Sequence, residues 1–211
     1  MAPYATEAEW IAALQANEAA AYEALVETFA EPVYRLAYRI VRNAADAEDV
    51  MQETFLRVYL HIGDFRGSAG LKSWLYRIAT RQALAVLRRR QRKLEAATTV
   101  ALDAEDDAED AAWHERVADP AAWSPEAWAV AHETEACVRQ AVEALPPTLR
   151  AALALHLFED LPLTEVAAAL EISHSAAKVR VHRARRALRE ALAPCLNAGE
   201  PAPTPTQEAT A

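Results

Sequence analysis

The sequence predicts an all-α protein: two small helical domains, an N-terminal helical bundle and a C-terminal helix-turn-helix domain, joined by an acidic linker. Three observations lead there. Hydrophobic residues make up 53% of the 211 positions, enough for real cores, and many of them are alanine, which favours helices. Only four glycines are present and no Val, Ile or Thr run alternates with period two, so nothing reads as a sheet. Between Glu95 and Glu135 the composition changes abruptly to twelve acidic residues against one basic, Arg116, with Pro120 and Pro125, which is linker chemistry. The expected divisions are 1–93, 94–134, 135–195 and a Pro-, Thr- and Ala-rich tail over 196–211.

Each helix has its own signal. Ala20, Leu25, Val26 and Phe29 form one apolar stripe, and Val33, Leu36, Ala37, Ile40 and Val41 a second that begins just after Pro32, a residue suited to a first helical turn. Asp46 opens a third helix, with Val50, Met51, Phe55, Val58 and Tyr59 at helical spacing and acidic residues in its first turn. Gly67 and Gly70 break the chain before a fourth helix, which runs from Leu71 into Arg88, Arg89 and Arg90. Past the linker, Val138, Ala141, Val142 and Leu145 lead to Pro146 and Pro147, and Leu149, Leu153, Leu157 and Phe158 follow. Leu163, Val166, Ala167 and Leu170 then face one way on a short helix, Glu171, Ile172 and Ser173 make a tight connection, and Ser173 caps a helix through Ala176, Ala177, Val181 and Ala184.

Charge narrows the function. The formal net charge is −9, yet fifteen of the twenty-two Lys and Arg residues lie in Arg66 to Lys93 and Lys178 to Arg189, two stretches without a single Asp or Glu. Phosphate neutralisation depends on local density rather than net charge, so two such islands suggest one long anionic ligand touched at two places. The second island lies on the second helix of the helix-turn-helix, the element that enters a DNA major groove. A free-standing regulator, with the N-terminal half serving dimerisation or ligand sensing, fits these features as well.

Other classes have little to rest on. The N-terminus lacks a positive segment followed by an apolar one, and no stretch approaches 18 apolar residues, so a cytoplasmic protein without membrane insertion is expected. Cys137 and Cys195 cannot make a disulfide framework and read as reduced packing residues. His114, His132, Glu133, Glu135 and Cys137 gather loosely, but the Glu and His spacing of a helix-bundle metal site occurs once rather than repeated. No Gly-rich phosphate loop or nucleophile elbow is present, and no enzyme activity, cofactor or metal is expected. Trp113, Trp123 and Trp128 in the linker either pack against a domain or form a docking surface.

Several segments together resemble one family. Asp46-Ala47-Glu48-Asp49-Val50-Met51-Gln52-Glu53-Thr54-Phe55, Phe65-Arg66-Gly67 with Ser73-Trp74-Leu75-Tyr76-Arg77-Ile78-Ala79, Leu161-Pro162-Leu163-Thr164-Glu165-Val166-Ala167, and Lys178-Val179-Arg180-Val181-His182-Arg183-Ala184-Arg185 follow in the order found in the extracytoplasmic-function group of bacterial sigma factors. The resemblance implies a subunit that brings RNA polymerase to promoters, an alternative sigma that is stress- or signal-responsive and a monomer when free. By that resemblance Asp46, Glu48, Asp49, Gln52, Glu53, Phe55 and Arg57 dock on core RNA polymerase. Phe65, Arg66, Ser68, Lys72, Trp74, Arg77 and Arg81 engage the minus-10 element, where a base leaves the duplex and aromatic surfaces offset unstacking. His174, Ser175, Lys178, Val179, Arg180, His182, Arg183, Arg185 and Arg186 engage the minus-35 element. Many members are held inactive by an anti-sigma factor. The chain departs from the family pattern at Arg81, commonly Asn, at Ala85, often Asp, at Glu171, often Gly, and at Ala177, commonly Val.

Overall fold

The computed structural model describes residues 4–67, 70–98 and 136–197, and among them every regular element is helical. Four helices build the first domain: α1 (Glu7–Gln15), α2 (Ala19–Val41), α3 (Ala44–His61), a single 3-10 turn (Ile62–Asp64) and α4 (Leu71–Thr98). The second holds a helix whose described part is 136–143 (α5), then α6 (Pro147–Leu153), a π-turn (Ala154–Phe158), α7 (Leu163–Leu170) and α8 (His174–Asn197). No helix among the described residues is long and apolar enough to cross a membrane. Most of the linker, with its three tryptophans, and His114, His132, Glu133 and Glu135, lie outside the described residues, as does nearly all of the tail.

Three sequence expectations are corrected. Pro32 does not begin a helix but lies inside α2, where a missing amide and ring clash cost about 3 kcal/mol. That cost is outweighed because Leu25, Phe29, Val33, Leu36 and Ile40 form one stripe in register through the proline, and Leu25, Val33, Leu36 and Ile40 are fully buried. Leu157 and Phe158, expected in the apolar stripe of α6, are each 45% exposed, because the π-turn rotates the chain so that Leu155 enters the core instead. Cys137 and Cys195 are disulfide-bonded, with 6.5 Å between their α-carbons. Cys137 lies on α5 and Cys195 near the end of α8, and their separation of 58 residues concealed that proximity.

α1 is an addition to the sequence reading. A capping box starts it: the Thr6 hydroxyl accepts from the Glu9 amide at 3.2 Å, and the Glu9 carboxylate accepts from the Thr6 amide at 3.2 Å. Trp10 and Leu14 are buried, and the Trp10 indole donates to the Ala21 carbonyl at 3.0 Å, which ties α1 to α2. The domains themselves are packed together. α7 lies on α4 and α6 on α2, and Ala151, Ala152, Leu155 and Val166 belong to the same buried cluster as Leu36, Ile40 and Ala79.

Candidate nucleic-acid interface

The second basic island is presented to solvent by the turn that precedes it. Glu171 ends α7 in the left-handed region at φ 54°, and the Ile172 amide closes the turn on the Ala167 carbonyl at 3.0 Å. Ser173 then caps α8, accepting from the Ala176 amide at 3.2 Å. Ala177, Val181 and Ala184 are buried at helical spacing and fix the rotation of α8. By that geometry Ser175, Val179 and Arg186 point directly away from the core, with His174, Lys178, His182 and Arg185 on one flank. Arg183 and the half-buried Arg180 fall on the other flank. Val179 is 47% exposed, an apolar side chain on a polar face, suited to a thymine methyl.

The first island is differently placed. Lys72 and Arg81 are on the exposed side of α4 with Arg77 half-buried between them, and Arg66 is exposed in the preceding loop; Ser68 lies outside the described residues. Phe65 and Trp74 do not reach that surface. They are 9% and 7% exposed, with ring centroids 4.8 Å apart, so both belong to the core and form no platform for an unstacked base. Two residues the sequence reading missed hold the loop from α1. The Gln15 side-chain amide donates to the carbonyls of Ile62 at 3.2 Å and Phe65 at 2.9 Å, and the Glu7 carboxylate accepts from the Leu71 amide at 2.6 Å, at the start of α4.

Carboxylates of the second domain meet α4. Glu165 accepts from the Ser73 hydroxyl, Glu171 pairs with Arg81, and the Lys72 ammonium donates to the Glu159 carbonyl at 3.1 Å. Glu159 is only 7% exposed; its side chain pairs with Arg39 of α2 at 3.2 Å. Burial first, and then the hydrogen bond to Glu159, push the Tyr76 phenol above its usual pKa. Near the same seam Arg42 pairs with Glu143.

The third candidate surface is α3. Glu48, Asp49 and Gln52 are exposed, Glu53 and Arg57 pair along the helix at 2.6 Å, and Phe55 packs partly against the core. Asp46 is bound at 2.7 Å to Arg90 of α4, and its amide donates to the capping Asn43 side chain at 2.9 Å. Sequence reasoning missed the apolar part of this face. Leu56, Tyr59 and Leu60 are 52%, 54% and 63% exposed, and Asp49, Gln52, Leu56 and Leu60 follow one another at helical spacing on the solvent side.

Comparison with known proteins decides the family. Sigma-70 region 2 matches residues 25–93 and sigma-70 region 4 matches 135–188. The chain is 34% identical over 183 residues to the RNA polymerase sigma-H factor of Pseudomonas aeruginosa, covering 87% of this chain and 92% of that one. It belongs to the extracytoplasmic-function sigma factors. The ECF RNA polymerase sigma factor SigW of Bacillus subtilis is 32% identical over 174 residues, covering 82% of the sigma factor described here and 89% of its own length.

As a sigma factor, the chain directs promoter-specific transcription. The fold agrees with two solved structures: the sigma factor RpoE with the anti-sigma factor NepR from Bartonella quintana, at TM-score 0.58 and 19% identity over 81% of this chain and 96% of that one, and CnrH with the cytosolic domain of CnrY, at TM-score 0.57 and 20% identity over 92% and 99%. The region 2 match spans most of α2, then α3 and α4 to Lys93; α1 lies outside both matched segments.

Proposed function

We propose that this sigma factor divides its work among three helices. α8 lies in the major groove of the minus-35 element, where Lys178, Val179, His182 and Arg183 read base edges, and Arg180, Arg185 and Arg186 hold phosphates. The loop before α4, with Lys72, Arg77 and Arg81, grips the opened minus-10 element, while Phe65 and Trp74 support the loop from within. α3 docks on core RNA polymerase through Asp49, Gln52 and the Leu56 and Leu60 side chains, a mixed face suited to a protein rather than to DNA. The chain has no catalytic activity of its own, acts in the cytoplasm and is a monomer when free. Residues 1–93 and 135–195 are its working domains, and an anti-sigma factor is a further partner, as in the two solved relatives.

One observation carries the reading: the basic islands fall on helices of different domains, α4 and α8, each backed by its own buried alanines and valines or leucines. Two separated faces suit two promoter elements bound at once. The test is run-off transcription with core polymerase on a library of genomic fragments. Discrete transcripts that depend on the chain and share two upstream motifs are expected. Specific duplex binding by the isolated chain, with no association with core polymerase, would contradict the reading and leave the free-standing regulator.

A further inference from the structure

We propose that Glu7 and Gln15 of α1 are positioning residues for the minus-10 contact: they clamp the peptides from which Arg66 and Lys72 leave the domain, and so set where those two cations meet the opened strand. The inference rests on the assignment of that loop to promoter DNA; the clamp itself does not.

α1 is built as a fixed reference. Trp10, Ala13 and Leu14 are buried on one side of it, the Trp10 ring stacks with Tyr4 and Phe29 at centroid distances of 6.2 and 6.0 Å, and the Tyr22 hydroxyl donates to the Leu14 carbonyl at 3.1 Å. Glu7, Ile11 and Gln15 follow one another at i, i+4 and i+8 on the adjoining side. A rise of about 1.5 Å per residue puts Glu7 and Gln15 roughly 12 Å apart along the helix axis. Each reaches one end of the connection that leads into α4.

The two ends are held at particular peptides. The Gln15 side-chain amide donates to the Phe65 carbonyl at 2.9 Å, and that carbonyl belongs to the peptide unit joining Phe65 to Arg66. Its second donation, at 3.2 Å, goes to the Ile62 carbonyl, which also accepts from the Phe65 amide at 3.1 Å and so fixes the turn just before. The Glu7 carboxylate accepts at 2.6 Å from the amide of Leu71, the residue before Lys72 and the first of α4, where amides have no partner within the helix. Phe65 and Leu71 are 9% and 2% exposed, whereas Arg66 and Lys72 stand in solvent. Glu7 and Gln15 are themselves exposed, so their bonds add little to the stability of the domain. What they supply is placement: a long cationic side chain loses less freedom on meeting a phosphate when its backbone starts from a fixed point.

The experiment measures how fast core polymerase, saturated with the full chain, opens a promoter taken from the run-off library. The unchanged chain is compared with Glu7→Ala/Gln15→Ala, with Arg66→Ala/Lys72→Ala, and with all four substitutions combined. The clamp predicts about a three- to tenfold loss of opening rate from the α1 variant on the unchanged background. It predicts almost none on the Arg66→Ala/Lys72→Ala background, since placement has no effect once the placed groups are gone. Glu7→Gln, whose amide oxygen still accepts, should keep most of the rate, and Gln15→Glu, which has no donor, should not. No loss, or an equal loss on both backgrounds, overturns the proposal, because a helix that only supports the fold acts regardless of the cations. If the library yields no promoter, or Arg66→Ala/Lys72→Ala opens it as fast as the unchanged chain, the minus-10 assignment fails instead. The Leu71 amide then decides the clamp: faster hydrogen exchange in Glu7→Ala, with α2 and α3 unaltered, sustains it, and unchanged exchange overturns it.

Discussion

α4 and α8 are both long basic helices whose islands lack any carboxylate of their own, yet they stand in opposite surroundings. Among the described residues the outward cations of α8 are met by no other element, and Arg186 pairs within the helix with Glu190 at 3.5 Å. On α4 the Lys72 ammonium is met by a Glu159 carbonyl and Arg81 by a Glu171 carboxylate of the other domain, and Arg90 by Asp46 of α3. A charge pattern announces that a helix wants an anion. Only packing tells whether that anion is nucleic acid or another part of the chain.

The comparison can be broken most severely through covalent anchoring, which α8 has and α4 lacks. Reduction of Cys137–Cys195 removes a cross-link closing 58 residues and should cost the second domain about 2–4 kcal/mol. Hydrogen exchange with and without reductant checks this: protection should fall in α6 to α8 and change little in α2 and α3. Next in size are the base-reading residues. Lys178→Ala or Arg183→Ala should cost about 1–3 kcal/mol on the promoter and much less on unrelated duplex, whereas Arg185→Ala should weaken both alike and lower the salt slope by about 0.9. Titrations of the two duplexes across salt separate these outcomes, and equal losses from all three variants would erase the division between reading and positioning residues on α8. The smallest expected effect concerns how the helices start. Ser173→Ala should cost about 1 kcal/mol by uncapping α8, and Thr6→Ala a similar amount by uncapping α1, read from urea unfolding with the slope unchanged.

The helix-turn-helix was legible because every signal agreed: apolar spacing through Val166 and Leu170, the Ser173 cap, and Ala177 and Val181 facing inward. α1 is equally legible in principle, since Thr6 and Glu9 ahead of Trp10, Ile11 and Leu14 form a capping box, but it begins in a stretch whose composition reads as polar and acidic. Pro32 misleads because the apolar stripe keeps its register through it. The π-turn has no sequence signature and could not be anticipated. The resemblance places Phe65 and Trp74 with the minus-10 residues, and nothing local distinguishes a ring that stacks on a base from one that packs against another ring in the core. The seam between domains was hidden for a different reason. Arg81 and Glu171, ninety positions apart, each stood out as a departure from the family pattern, yet no local rule pairs residues so distant.

The proposed function makes the two islands different tools, one for opened DNA and one for duplex. Transcription by core polymerase loaded with Arg77→Glu or with Arg185→Glu, on an intact promoter and on one whose minus-10 segment is already unpaired, addresses this most directly. The α4 variant should lose transcription from the intact promoter and recover part of it on the opened template, while the α8 variant should lose it equally on both. The same pattern of loss for both variants would contradict the account.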